Sequence, residues 1–150
     1  MSPLSVTLPL QQSRCWPYKG WGVMEEVIED TRRQFGDRGE ALAVRLLETL
    51  GYEILERNVG CRYGEIDIIA VKDTVHCFVE VRSRATDVCG DPSLSVMSAK
   101  QRRVVKATVW WLQRQRLLDR VPIRFDVVSV VGRGAQVRVE HFPNAFDAGY

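Results

Sequence analysis

Apolar residues along this chain become periodic only after Gly36. Ala43, Leu46, Leu47 and Leu50 recur at helical spacing and Gly51 supplies a stop, so a helix is predicted over 38–50. Tyr52 to Arg62 reads as a strand with Ile54 and Val59 facing inward. Gly64 then precedes Glu65-Ile66-Asp67-Ile68-Ile69-Ala70-Val71, a β-branched run with carboxylates at alternate positions, and Val75 to Arg82 is a third strand of similar composition. A loop over 84–95 is marked by Gly90-Asp91-Pro92-Ser93. Ser98 is a candidate cap for a helix from Ala99 to about Leu118, with Val104, Ala107 or Thr108, Trp111 and Leu118 as its core stripe. Pro122 opens a strand over Ile123 to Val131, and Gly132-Arg133-Gly134 turns it into a last one from Gln136 to Phe142.

This α-β-β-β-α-β-β order, without internal repeats, predicts an α/β fold with a mixed central sheet flanked by helices. Near the N-terminus, Pro3, Pro9, Pro17, Gly20 and Gly22 interrupt any period. Residues 1–33 are therefore expected to be a disordered or weakly ordered extension, 34–146 the domain and 147–150 a tail, with Met24 an alternative start. A chain of 150 residues with 45% hydrophobic and 27% charged content suits one globular domain. No apolar run approaches the roughly 18 residues that span a bilayer, so no membrane partner is expected. Cys15, Cys61, Cys77 and Cys89 form no CxxC pair and no zinc-spaced cluster. Free thiols in a reducing cytoplasm are the expectation.

The hairpin between the second and third strands turns at Asp73-Thr74, which sets its register. Symmetry about that pair places Asp67 opposite Glu80 and Glu65 opposite Arg82, with all four on one face and Ile66, Ile68, Val79 and Val81 on the other. Directly opposed like charges destabilise a sheet. The two carboxylates call for a counter-charge, which an oxygen-preferring cation, Mg²⁺ or Mn²⁺, would supply. Glu40, in Gly39-Glu40-Ala41, is a third carboxylate for such a site. The alternative is a metal-free ladder in which Arg82 neutralises Glu80 and Glu65.

Several segments resemble the YraN-like family: Gly39-Glu40-Ala41-Leu42-Ala43, Gly51-Tyr52-Glu53-Ile54-Leu55-Glu56-Arg57-Asn58, Arg62-Tyr63-Gly64-Glu65-Ile66-Asp67-Ile68-Ile69-Ala70 and Phe78-Val79-Glu80-Val81-Arg82-Ser83-Arg84. So do Lys100-Gln101-Arg102-Arg103, Arg124-Phe125-Asp126-Val127 and Asn144-Ala145-Phe146. The family's members are bacterial predicted endonucleases that resemble Holliday-junction resolvases and the restriction-endonuclease-like group. The resemblance implies an αβββαβ core in which Asp67 and Glu80 hold the metal, Glu40 completes its shell, and a metal-activated water attacks a DNA phosphate. The family's usual third-strand motif is Glu-x-Lys, whereas this chain has Glu80-Val81-Arg82. Arginine keeps its charge and cannot act as a base, although its fork clamps phosphate. Lys100, or Lys72 as the weaker candidate, is left to supply the amine.

The formal net charge of +2 conceals a division along the chain. From Met24 to Asn58 nine acidic residues outweigh five basic ones, and from Met97 to Arg124 eight basic residues outweigh one acidic. Lys100, Arg102, Arg103, Lys106, Arg114 and Arg116, with Trp110 among them, suit a phosphate backbone and a stacked or unpaired base, or else form a solvated face. Arg82 and Arg84 would add phosphate contacts. Asp126 beside Arg124 reads as a local ion pair rather than a fourth ligand, and His76 and His141 as structural. Three readings stay open: a nuclease acting on DNA, branched or single-stranded forms included; a DNA-binding protein of the same fold that cleaves little or not at all; and a structural or assembly partner dimerising through the sheet edge or the last strand.

Overall fold

A computed structural model describes residues 4–6, 24–85, 98–133 and 135–148, with the side chains of 4–6, 24–35 and 98 left aside. The elements are β1 (Leu4–Val6), α1 (Met24–Thr49), β2 (Glu53–Cys61), β3 (Gly64–Lys72), β4 (Val75–Arg84), α2 (Ser98–Arg114), β5 (Ile123–Val131) and β6 (Arg138–Phe146). They build one six-stranded sheet in the order β1-β6-β5-β4-β3-β2. β4 and β5, joined through α2, are parallel; every other neighbouring pair is antiparallel. From α1 to β5 this is the αβββαβ order of the restriction-endonuclease-like core. Two elements lie where the sequence showed no period, namely β1, which pairs with β6, and the first half of α1. The remainder of the N-terminal stretch and the 86–97 segment, Cys15 and Cys89 included, lie outside the described residues.

Side chains alternate across the sheet, so each face needs its own cover. Leu42, Ala43, Leu46 and Leu47 of α1 pack on Ile68, Ala70, Cys77, Val79, Val128 and Val130. Val104, Val105, Ala107, Trp111 and Leu112 of α2 pack on the other face against Ile66, Ile69, Phe78, Phe125 and Val127. Phe78 and Val79 thus belong to opposite cores although they are adjacent in β4.

α1 presses on β4 at Gly39, where an added Cβ would lie 1.9 Å from the Ser83 hydroxyl oxygen. No larger residue allows that approach, and it carries Glu40 to the carboxyl-terminal part of β4. Both helices end in the same hydrogen-bond pattern. At α1 the Tyr52 N–H reaches Leu47 O and the Gly51 N–H reaches Glu48 O; at α2 the Leu117 N–H reaches Leu112 O and the Arg116 N–H reaches Gln113 O. The second of these stops α2 at Arg114, four residues short of the expected end at Leu118. It also places Arg116 at φ 59, where a Cβ is disfavoured. Arg116→Gly is expected to raise stability by about 1 kcal/mol, read as a rise of a few degrees in Tm by thermal unfolding.

Candidate functional site

Glu80 is a carboxylate in the middle of an apolar strand and is only 3% exposed. Its Oε1 accepts from the Lys100 ammonium at 2.7 Å and from Arg82 Nε at 3.1 Å. Its Oε2 is buried with no hydrogen-bond partner among the protein's groups. Lys100 comes from the first turn of α2 and Arg82 from β4 itself, so two elements supply the positive charge. A buried carboxylate is tolerated only when its charge is met. One oxygen is met here, and the other has capacity for a further electrophile.

Asp67 lies in β3 just beyond the end of the β3–β4 ladder. The β3–β4 ladder runs in the register expected from the Asp73-Thr74 turn, from Lys72 opposite Val75 to Ile68 opposite Val79, and stops there. Ile66 packs beneath α2, whereas Ile68 packs beneath α1. Two residues apart in a regular strand would share a face. The backbone therefore turns over at Asp67, across from Asn58, whose φ is 51. This corrects the expected single apolar face, because Ile66 lies on the side opposite Ile68, Val79 and Val81. It also leaves Glu65 exposed, beyond the ladder that was to oppose it to Arg82. Freed from the ladder, the Asp67 side chain bends back to β4, where Oδ2 accepts the Val81 N–H at 2.7 Å.

Burial pushes Asp67 up from 3.8 to about 6. The Val81 N–H and Lys100 pull it down, while Glu40 and Glu80 push it further up. The folded chain thus holds a proton that the unfolded chain releases, and between pH 3.8 and about 6 stability falls as pH rises. The ionised, cation-free Asp67 costs on the order of 2 kcal/mol above that window. In chelator at pH 7.5, Asp67→Asn is expected to unfold several degrees above wild type, and at pH 3.5 the two should coincide. Equal Tm values at pH 7.5 would remove the strain assigned to this carboxylate.

Asp67 and Glu80 are the residues that could hold a divalent cation, with carboxylate oxygen donors and one orphaned acceptor. Glu40 belongs to the same electrostatic field, but its carboxylate lies 3.8 Å from Arg57 Nη2. Among the described residues no three His, Cys, Asp or Glu side chains converge as a metal cage. A cation held by Asp67 and Glu80 alone would take its remaining ligands from water and phosphate.

The other candidates separate into groups. Lys72 donates to Leu50 O at 2.7 Å and lies over the Tyr52 ring, at the end of β3 away from Asp67, which removes it as the site amine. Arg84 ends β4 in register with Val131. Arg103 packs against Gly64, where an added Cβ would lie 3.1 Å from its own Cβ. That contact draws the β2–β3 turn onto α2, so Arg62 and Tyr63 face Arg102, Lys106 and Trp110 across a groove. Sequence reasoning did not single out Arg62 and Tyr63 for this role; their place beside a glycine at a strand turn was the available signal.

A second polar cluster lies beneath α1. Asp126 is fully buried and accepts four hydrogen bonds: from Arg124 Nε (2.7 Å) and Nη2 (2.8 Å), His141 Nε2 (2.9 Å) and the Asn144 N–H (3.0 Å). Burial pushes its pKa up, but the bonds from His141, Arg124 and Asn144 outweigh it and hold the carboxyl below the ordinary value. Arg124 also donates to the Tyr52 hydroxyl at 2.6 Å. The local Arg124–Asp126 pair is present, and His141, read from sequence as structural, is buried and held by Asp126. Only the pairing of β5 with β6 brings those two residues together.

Comparison with known proteins gives a consistent result. Residues 39–130 match the model of the Uncharacterised protein family UPF0102. A UPF0102 protein of Myxococcus xanthus (strain DK1622) is 54% identical over 126 residues, 84% of this chain and 99% of the relative. One of Geobacter metallireducens is 48% identical over 118 residues, 79% of this chain and 96% of the relative. The matched span contains Glu40, Asp67, Glu80, Arg82 and Lys100 together with the elements that position them. The chain therefore belongs to UPF0102, the YraN-like family.

Proposed function

We propose that this protein is a Mg²⁺- or Mn²⁺-dependent endonuclease that hydrolyses DNA phosphodiester bonds at the Asp67–Glu80–Lys100 site. The observation that carries the reading is the Lys100 ammonium 2.7 Å from Glu80 Oε1. Lysine is absent from its usual position in the third strand, and an amine arrives from α2 at the same carboxylate. When bound, the cation neutralises charge developing on the phosphate. Asp67 and Glu80 would hold it. Lys100 donates to a water or a phosphate oxygen and fixes it for in-line attack. Arg82, anchored through Nε to Glu80, adds positive charge where the phosphate lies. Hydrolysis forms one bond from water oxygen to phosphorus and breaks one P–O ester bond; water loses a proton and the leaving oxygen gains one. Arg84, Lys100, Arg102, Arg103 and Lys106 would hold the flanking backbone phosphates.

A second reading, a DNA-binding protein with little cleavage, is favoured by one departure, arginine at position 82. The test incubates the purified full chain with linear, nicked, branched and single-stranded DNA in Mg²⁺, Mn²⁺ or chelator. Metal-dependent cleavage that chelator abolishes supports the nuclease. Binding in chelator without cleavage by wild type or Arg82→Lys supports the binder. Absence of both at low salt defeats both and leaves assembly through a sheet edge as the surviving reading.

A further inference from the structure

The groove between α2 and the β2–β3 turn does not include the Asp67 and Glu80 carboxylates, and it shares only Arg102 and Lys106 with the phosphate contacts proposed above. It encloses about 630 Å³ and is lined by Arg62, Tyr63, Arg102, Lys106, Trp110 and Gln113 over a floor of Val105, Val109 and Ala148. Among the described residues its lining holds three cations and no carboxylate. Each aromatic ring is faced by a guanidinium: Arg62 stands 4.7 Å from the Tyr63 ring centre and Arg114 stands 5.5 Å from that of Trp110. Arg102, Lys106, Trp110 and Gln113 recur at helical spacing, so the charged and aromatic groups form one continuous strip.

We infer that this groove binds an unpaired stretch of nucleic acid strand, with a base stacked at Trp110 and Tyr63 and phosphates held by Arg62, Arg102 and Lys106. The inference rests on the chain being a nucleic-acid protein and does not require cleavage. Charge complementarity argues for a polyanion, and the two aromatic side chains in the lining argue for exposed bases, because a base inside a duplex has no free face to offer. The volume lies within the range of pockets that enclose a nucleotide-sized ligand. Lys100 and Trp110 are ten residues apart on α2, about 15 Å along its axis. An unpaired segment seated here would lie beside a strand cut at Glu80, which favours substrates with a junction between paired and unpaired DNA.

The experiment measures binding of a fluorescent dT12 and of a blunt duplex to the full chain in chelator, by anisotropy, over a range of salt concentrations. Trp110→Leu is expected to weaken dT12 binding by about 10-fold and duplex binding by less than 2-fold, and Trp110→Phe to restore most of the loss. Because Trp110 is half-buried, the exposed Lys106→Gln is a second arm, expected to weaken dT12 binding and to flatten its salt dependence. Unchanged dT12 affinity in folded Trp110→Leu, or equal losses on dT12 and duplex, would overturn the proposal. So would unchanged salt dependence in Lys106→Gln. Binding of dT12 in chelator with no cleavage of any DNA keeps the groove and sinks the nuclease. Metal-dependent cleavage with no effect of Trp110 on dT12 does the reverse.

Discussion

Asp67→Asn is expected to lower metal-dependent DNA cleavage by about 10³-fold or more, because loss of several kcal/mol of charge stabilisation corresponds to at least that factor. The substitution keeps an oxygen to accept the Val81 N–H and removes only the negative charge. The same variant is expected to be more stable than wild type in chelator at pH 7.5, since burial already works against the charge of Asp67. Lower activity joined to higher stability is the signature of a carboxylate kept for a cation, and a general folding defect does not produce it. Added Mg²⁺ should raise the Tm of wild type and leave that of Asp67→Asn unchanged. Full cleavage by the folded variant would remove Asp67 from the reaction.

Asp126→Ala is expected to cost about 3–5 kcal/mol, a fall of roughly 10 °C in Tm for a chain of this size. Its carboxylate is the shared acceptor for Arg124, His141 and the Asn144 N–H. Alanine leaves a guanidinium and a buried imidazole without their acceptor, and a strand irregularity without its anchor. The pH dependence has the opposite sign to that of Asp67. The carboxyl is held below the ordinary 3.8, so its stabilisation is present above that value and is lost as pH falls through the lower folded value. Wild type and Asp126→Ala should therefore converge in acid and diverge towards neutrality. A difference below 1 kcal/mol at pH 7 would show that the cluster is dispensable.

These two aspartates mark where local pattern stops being informative. Both sit in apolar strands, one residue from β-branched neighbours. Asp126 is saturated by donors, whereas Asp67 has one backbone donor and two carboxylates nearby. Alternation gives their positions but not their surroundings, which are set by other strands and by α2. The reassignment of Ile66 has the same cause, since the turnover at Asp67 faces Asn58 on a different strand.

Sequence by itself determined the type and order of the elements from the second half of α1 to β6, and the β3–β4 register from Lys72–Val75 to Ile68–Val79. Each of these depends on contacts between near neighbours: helical repeats, a stop at Gly51 and a hairpin closed by two residues with positive φ at Asp73 and Thr74. Only the tertiary structure decided which charges meet. Lys100 reaches Glu80 from twenty positions away because α2 crosses between two parallel strands, and His141 reaches Asp126 across an antiparallel pair. Arg62 and Tyr63 meet Trp110 because Gly64 lets a turn close on a helix. Long-range pairing depends on loop closure and burial summed over the whole sheet, and no local window of residues carries that sum.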